Sequence, residues 1–243
     1  MSTASPATRV LGATALASLA VAAFLALVVS PDDVVQGDAV RLMYVHVPTI
    51  WVAYGAFLLT AVASFLYLRR KDRRYDRVAA AAAEIGVVFT GLCLVTGMFW
   101  GRTTWGVFWQ WDARLTTTAL LFALYLGYVA LRRVPSDPDV RARRSAIAAL
   151  IAFVDVPIVH FSVDWWRTLH QKASITPLDT SPEITGEMLQ TLLFSLLAFT
   201  LAAGWALVHR VRLERLEEDA DDRALARAIA ERRAESGLAG APS

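Results

Sequence analysis

A single cysteine in 243 residues, Cys93, excludes a disulfide framework and any metal centre built from thiolates. There is no CxxCH, so the chain cannot tie a haem to itself through thioether bonds as c-type cytochromes do. Without a GxxxxGK[ST] loop or a GxGxxG turn, it has no recognisable phosphate cradle for a nucleotide. A net charge of only +2 makes no case for a nucleic-acid partner. No internal repeat divides the chain. Charged residues are also sparse, at 19%, against 56% hydrophobic residues, and this balance places the chain among integral membrane proteins.

The apolar residues fall into six runs, near 10–29, 49–68, 78–99, 115–131, 145–163 and 188–208. Each is about the length a helix needs to cross the hydrocarbon core. The expected fold is therefore all-α and integral to a membrane, with a six-helix domain over 1–208 and a charged tail over 209–243. The first run is long enough to favour a retained helix over a cleaved signal peptide. Pro48 is expected to open the second helix, leaving His46 about one turn outside it. The tail, rich in Arg, Glu and Ala, reads as a short solvated helix that frays at Gly237. Nineteen of the 24 lysines and arginines fall on the termini and on the 2–3 and 4–5 connections. Positive charge accumulates on the cytoplasmic side, so both termini are expected there and the other three connections outside.

One external connection stands apart. WGRTTWGVFWQWDARLT, Trp100 to Thr116, holds four of the eight tryptophans. An interfacial aromatic belt explains scattered indoles. Packed together as Trp105, Trp109 and Trp111 with Phe108, they offer a face for a flat aromatic ligand. His46 and His160 fall at the outer mouths of the second and fifth helices, at similar depth, while His170 lies further along the 5–6 connection. Two neutral imidazoles beside such a shelf can supply both axial bonds to the iron of a non-covalent haem b. Arg102 and Arg114 flank the loop and can meet propionates, or serve as snorkelling interface residues. Asp112 reads equally as a partner of Arg114 and as a group orienting the loop or a ligand imidazole. Asp155 falls inside the fifth run, two residues before Pro157, which frees the Phe153 carbonyl from its helical bond. A functional role at membrane depth and a hinge role weigh about the same there.

At WGVFWQWDARLT the chain resembles the tryptophan-rich WWD signature of haem-handling proteins in cytochrome c maturation, and within that group the CcmC family, haem exporter protein C. PIVHFSVDWWRTLHQ (Pro157 to Gln171) and MYVHVPTIW (Met43 to Trp51) carry the likeness further, over roughly Met43 to Leu207. The resemblance implies a six-helix protein of the bacterial inner membrane, with both termini cytoplasmic, that binds haem at the periplasmic face and presents it. Its axial ligands would be His46 and His160, its haem face Trp105, Trp109 and Trp111, and its acid–Ala–Arg–Leu–Thr element Asp112 to Thr116. The partners implied are a periplasmic haem chaperone of the CcmE type, ABC transporter subunits of the CcmA and CcmB type, a small CcmD-type subunit, and membrane lipid. Three positions depart from the pattern: Phe108 for tryptophan, Lys172 for glycine and Asp155 for asparagine. Delivery, not turnover, is the expected role, with no catalytic residue. A membrane b-type cytochrome is the rival reading, disfavoured because the histidine pair sits on one side only. A solute transporter would show paired charges in broken helices, and a purely structural assembly subunit would not need the aromatic loop.

Overall fold

The computed structural model describes residues 5–171, 184 and 186–239, so Lys172, Pro177 and Pro182 fall outside it. Among the described residues the chain is helical, with one isolated bridge, Asp33 to Gly37, and no strand. The α-helices are α1 (Pro6–Phe24), α2 (Met43–Arg70), α3 (Arg73–Trp105), α4 (Ala113–Arg133), α5 (Pro138–Phe153), α6 (Asp155–Trp165) and α7 (Gly186–Ala239). With α5 and α6 counted as one crossing, six stretches are long and apolar enough to span a membrane.

Most of the helix starts follow from local chemistry. Ser5, Asp72, Asp112 and Asp137 each accept a hydrogen bond from a backbone N–H of the following turn, and Pro6 and Pro138 occupy first positions where no N–H is needed. Pro48 does not open its helix. A 3₁₀ turn, Asp38–Leu42, leads directly into α2 at Met43, so Pro48 sits in the second turn and His46 lies inside the helix. The third helix also runs further than its apolar stretch. Thr103 and Thr104 turn their hydroxyls back to the Trp100 carbonyl at 2.8 and 2.9 Å, and GRTTW stays helical until Gly106 ends it at φ 79°. The fifth crossing breaks at Val154, just where Pro157 withdraws a donor from the Phe153 carbonyl. The tail is not a separate helix: α7 continues unbroken to Ala239.

Small residues draw the helices together. Ala79 to Ala83 of α3 are all buried, and α2 packs along this face. In lipid, close backbone approach of this kind replaces the hydrophobic drive that water would supply. The core between α2, α4 and α5–α6 holds Phe57 stacked on Tyr125 at 3.7 Å, with Leu121, Ala149, Ala152 and Val159 around them. At one end of the bundle α3, α4 and α7 are joined by ions. Arg132 grips Asp76 through both guanidinium nitrogens at 2.6 and 3.0 Å. Arg77 meets Glu218 at 2.5 Å, and Arg210 binds Glu84 and Glu214. Arg212 reaches Thr8 at 2.7 Å, which brings the start of α1 to the same end.

Candidate functional site

The opposite end contains a cavity of about 670 Å³, within the range of small-molecule sites. Its wall is drawn from α2, α3, α4, α6 and the start of α7, and it includes His46, His160, His170, Trp105, Trp109 and Arg114.

His46 is held from below. Its Nδ1 lies 3.0 Å from the Cys93 carbonyl and 3.2 Å from Thr96 Oγ1. A carbonyl only accepts, so Nδ1 carries the proton and Nε2 keeps its lone pair, the tautomer that binds a metal. Room for the ring comes from Gly97, where a Cβ would stand 2.9 Å from His46 Cε1. The Trp100 edge meets the imidazole at 5.6 Å, and Trp100 Nε1 donates to Gln36 at 2.7 Å.

The ring that faces His46 belongs to His170. Their centroids are 6.3 Å apart with planes inclined by 33°, and Trp105 sits edge-on to His170 at 6.2 Å. Burial holds the His170 imidazole below the usual histidine range, with the Arg114 charge acting in the same direction. A relay across the sequence fixes its segment. Asp112 caps α4 at the Leu115 N–H (2.8 Å) with one oxygen, and with the other it accepts from Thr168 Oγ1 (2.5 Å) and the Leu169 N–H (3.1 Å). Thr168 Oγ1 in turn accepts from the His170 N–H at 3.0 Å. Asp112 therefore orients a loop that carries an imidazole, acting on the Thr168 hydroxyl and the Leu169 N–H and not on the imidazole itself.

His160 stands elsewhere on the wall, against the Tyr54 ring at 6.3 Å and Phe161 at 4.9 Å. Arg114 does not turn to Asp112. It donates to Ser162 Oγ and to the His160 carbonyl, both at 2.9 Å, and so ties α4 to the last turns of α6. Arg102 lies off the cavity wall, donating to the Gly106 carbonyl and covering the Phe108 ring at 5.6 Å. Phe108 packs on Phe99, and Trp111, 76% exposed, meets the cavity only through Trp109. Among the described residues, two buried polar hydrogens on the wall have no acceptor, those of Trp109 Nε1 and Tyr54 OH. A ligand bearing oxygens suits them. Asp155 is buried at the start of α6 behind Tyr54, with Oδ2 unpartnered.

The sequence reading singled out His46, His160, Trp105, Trp109 and Arg114, and all five line this cavity. It chose His160 as the partner of His46, whereas His170 faces it. The available signal was the run Asp112 to Thr116 beside Thr168-Leu169-His170, an acid and a hydroxyl that needed each other. Gly97 and Tyr54 were not singled out.

The chain matches the family model described as CcmC, heme exporter protein C, over residues 1–226. It is 44% identical over 172 residues to the heme exporter protein C of Bradyrhizobium diazoefficiens, covering 71% of this chain and 65% of that protein. To the protein of the same name from Haemophilus influenzae it is 42% identical over 191 residues, 79% of this chain and 77% of the relative. The corresponding Escherichia coli protein is 42% identical over 158 residues, 63% of this chain and 64% of its own length. The matched stretch thus spans slightly less than two thirds of the Bradyrhizobium and Escherichia relatives.

Proposed function

This chain belongs to the heme exporter protein C family, and from that premise we propose that its cavity binds haem b non-covalently as cargo and presents it for transfer during cytochrome c maturation. The observation that carries the reading is the facing pair of imidazoles. Metal–imidazole bonds of about 2 Å, with about 1 Å more from each nitrogen to its ring centre, put two trans ligands roughly 6 Å apart. The rings of His46 and His170 are 6.3 Å apart, and His46 holds the tautomer whose Nε2 keeps its lone pair, with the Cys93 thiol 3.9 Å from it. That spacing supports His170 as the second axial ligand over His160.

The remaining groups fit a porphyrin. Trp105 and Trp109 offer ring faces, with Trp111 and Phe108 extending the aromatic surface outward. Arg114 stands at the cavity wall and meets a propionate without leaving Ser162, because its Nη1 is uncommitted. Arg102, off the cavity wall, stands further from a second propionate. Bound haem supplies the electrophilic vinyl edge, and the chain's own part is to fix the ring, its axial ligation and its exposed edge. The protein delivers and is not an enzyme.

Positive charge at the ion-paired end supports an orientation with both termini in the cytoplasm and the cavity at the periplasmic face of the inner membrane. The partners proposed are a CcmE-type chaperone at the cavity end, CcmA- and CcmB-type transporter subunits, and a CcmD-type small subunit. The electron-transfer cytochrome reading is not favoured by the family. The test is a set of single alanine variants at His46, His160 and His170, purified in mild detergent, with haem absorption spectra recorded. Loss of the low-spin spectrum in the His46 and His170 variants, and its survival in His160→Ala, is the expected result. A parental spectrum in His170→Ala with loss in His160→Ala restores the other pairing, and parental spectra in all three remove the axial assignment.

A further inference from the structure

We infer that haem reaches the cavity sideways, from within the bilayer, through a slit between α2 and α6 that the contact of Tyr54 with His160 closes. This rests on the reading of the cavity as a haem site and answers a question which that reading leaves open, the route of the cargo.

The first observation is a shared wall. Along α2, Trp51, Gly55, Leu58, Val62 and Phe65 form one exposed row at alternating steps of four and three, with Trp51 61% and Leu58 52% exposed. Along α6 the row is Pro157, Phe161 and Trp165, continuing from Val154. In a multi-pass membrane protein these rows meet acyl chains. Yet Trp51 of the first row, and His160 and Asp164 at the margin of the second, also line the cavity. A residue belongs to an inner wall and to a lipid-facing row at once only where the wall is interrupted.

The second observation is how the helices part. α2 runs along α3 and α5, while α6, redirected by the break at Val154, leans on α4. Across the resulting gap the rings of Tyr54 and His160 meet edge to face at 6.3 Å. Deeper in the bundle, Val159 and Phe57 are fully buried and close the slit towards the ion-paired end. The third observation concerns the loop side, where the segment bearing His170 is clasped to α4 by Asp112. The tied side is the roof and the untied side is the flank.

The chemistry of the slit suits a flat amphipathic tetrapyrrole. The Trp51 indole gives an apolar face at the threshold, and the imidazole of His160, not needed for the His46–His170 pair, gives the iron a transient ligand. The Tyr54 hydroxyl, buried without a partner among the described residues, becomes available to a propionate once the ring contact opens.

The test uses the full chain in phosphatidylcholine nanodiscs. Tyr54→Cys and His160→Cys are introduced together with Cys93→Ala, and the new thiols are joined, or not, by a cleavable bis-maleimide. Loading is followed by the Soret change after haemin is partitioned into the lipid. The linked protein is expected to load about tenfold more slowly than the same protein unlinked, with the unlinked rate restored when the linker is cut. Equal rates in linked and unlinked protein overturn the slit while leaving the cavity reading intact. No haem uptake by the folded unlinked protein, with none by the unsubstituted chain, overturns both. A second arm needs no linker: Trp51→Ala, which removes the apolar face at the threshold, is expected to slow loading from lipid several-fold with an unchanged final spectrum, and an unchanged or faster rate counts against the slit.

Discussion

Gly97 fixes where the His46 imidazole can stand, and its effect can be measured. A Cβ there lies 2.9 Å from His46 Cε1, so Gly97→Val must turn the ring away from the Cys93 carbonyl. The expected result is haem affinity reduced by at least about tenfold, or ~1.4 kcal/mol, with helicity by circular dichroism unchanged. Asp155 makes the opposite case. The residue is 5% exposed, with one carboxylate oxygen unpartnered among the described residues, and a neutral amide costs less to bury than a charge. Asp155→Asn is expected to raise stability by about 1 kcal/mol, read as an upward shift of the melting temperature. For His170 the sign follows from burial. Its folded-state value lies below that of the unfolded chain, near 6.5, so the neutral form is favoured. Stability of the haem-free protein is full above about pH 6.5 and falls as pH drops through the lower folded value. His170→Ala is expected to flatten that slope in thermal melts taken from pH 7.5 to 5. His170 was hard to select from sequence for a physical reason. It sits in a polar connection that looks solvated, and the tether that carries it inward joins Thr168 to Asp112, 56 residues away.

At the scale of elements, Asp112 serves two: it caps α4 and clasps the segment after α6. Asp112→Ala is expected to cost about 1 kcal/mol through the lost cap alone. It is also expected to speed hydrogen exchange at the Leu169 and His170 amides while exchange in the interior of α4 stays slow. The break between α5 and α6 could be read from Pro157, because a missing N–H has one consequence wherever it occurs. The last two turns of α3 could not be read this way. Gly-Arg-Thr-Thr looks like a turn in sequence, yet it stays helical, with both threonine hydroxyls satisfied on the Trp100 carbonyl. The same extension lifts Trp105 to the cavity wall and leaves Trp111 outside it, although the two indoles look equivalent in the sequence.

Across the whole molecule, the six crossings follow from apolar length alone, but the ion pairs that join distant helices do not. Arg132 and Asp76, 12% and 7% exposed, hold α4 to α3. Arg132→Ala strands a buried carboxylate and is expected to destabilise by about 3–5 kcal/mol, whereas Arg132→Met with Asp76→Leu costs much less. Chemical denaturation of the two variants separates charge pairing from packing. The anchoring of α7 ends near Glu218, since every described side chain from 219 to 235 is exposed. At about 1.5 Å per residue, the 54 residues of α7 reach roughly 80 Å, against a hydrocarbon thickness of about 30 Å. Roughly 50 Å of it therefore lies beyond the hydrocarbon layer, and the 21 residues after Glu218 form a mast of about 30 Å. Any protein that docks flat beside this chain must be notched to admit it, and the mast keeps neighbouring copies at a set distance before any specific contact is made.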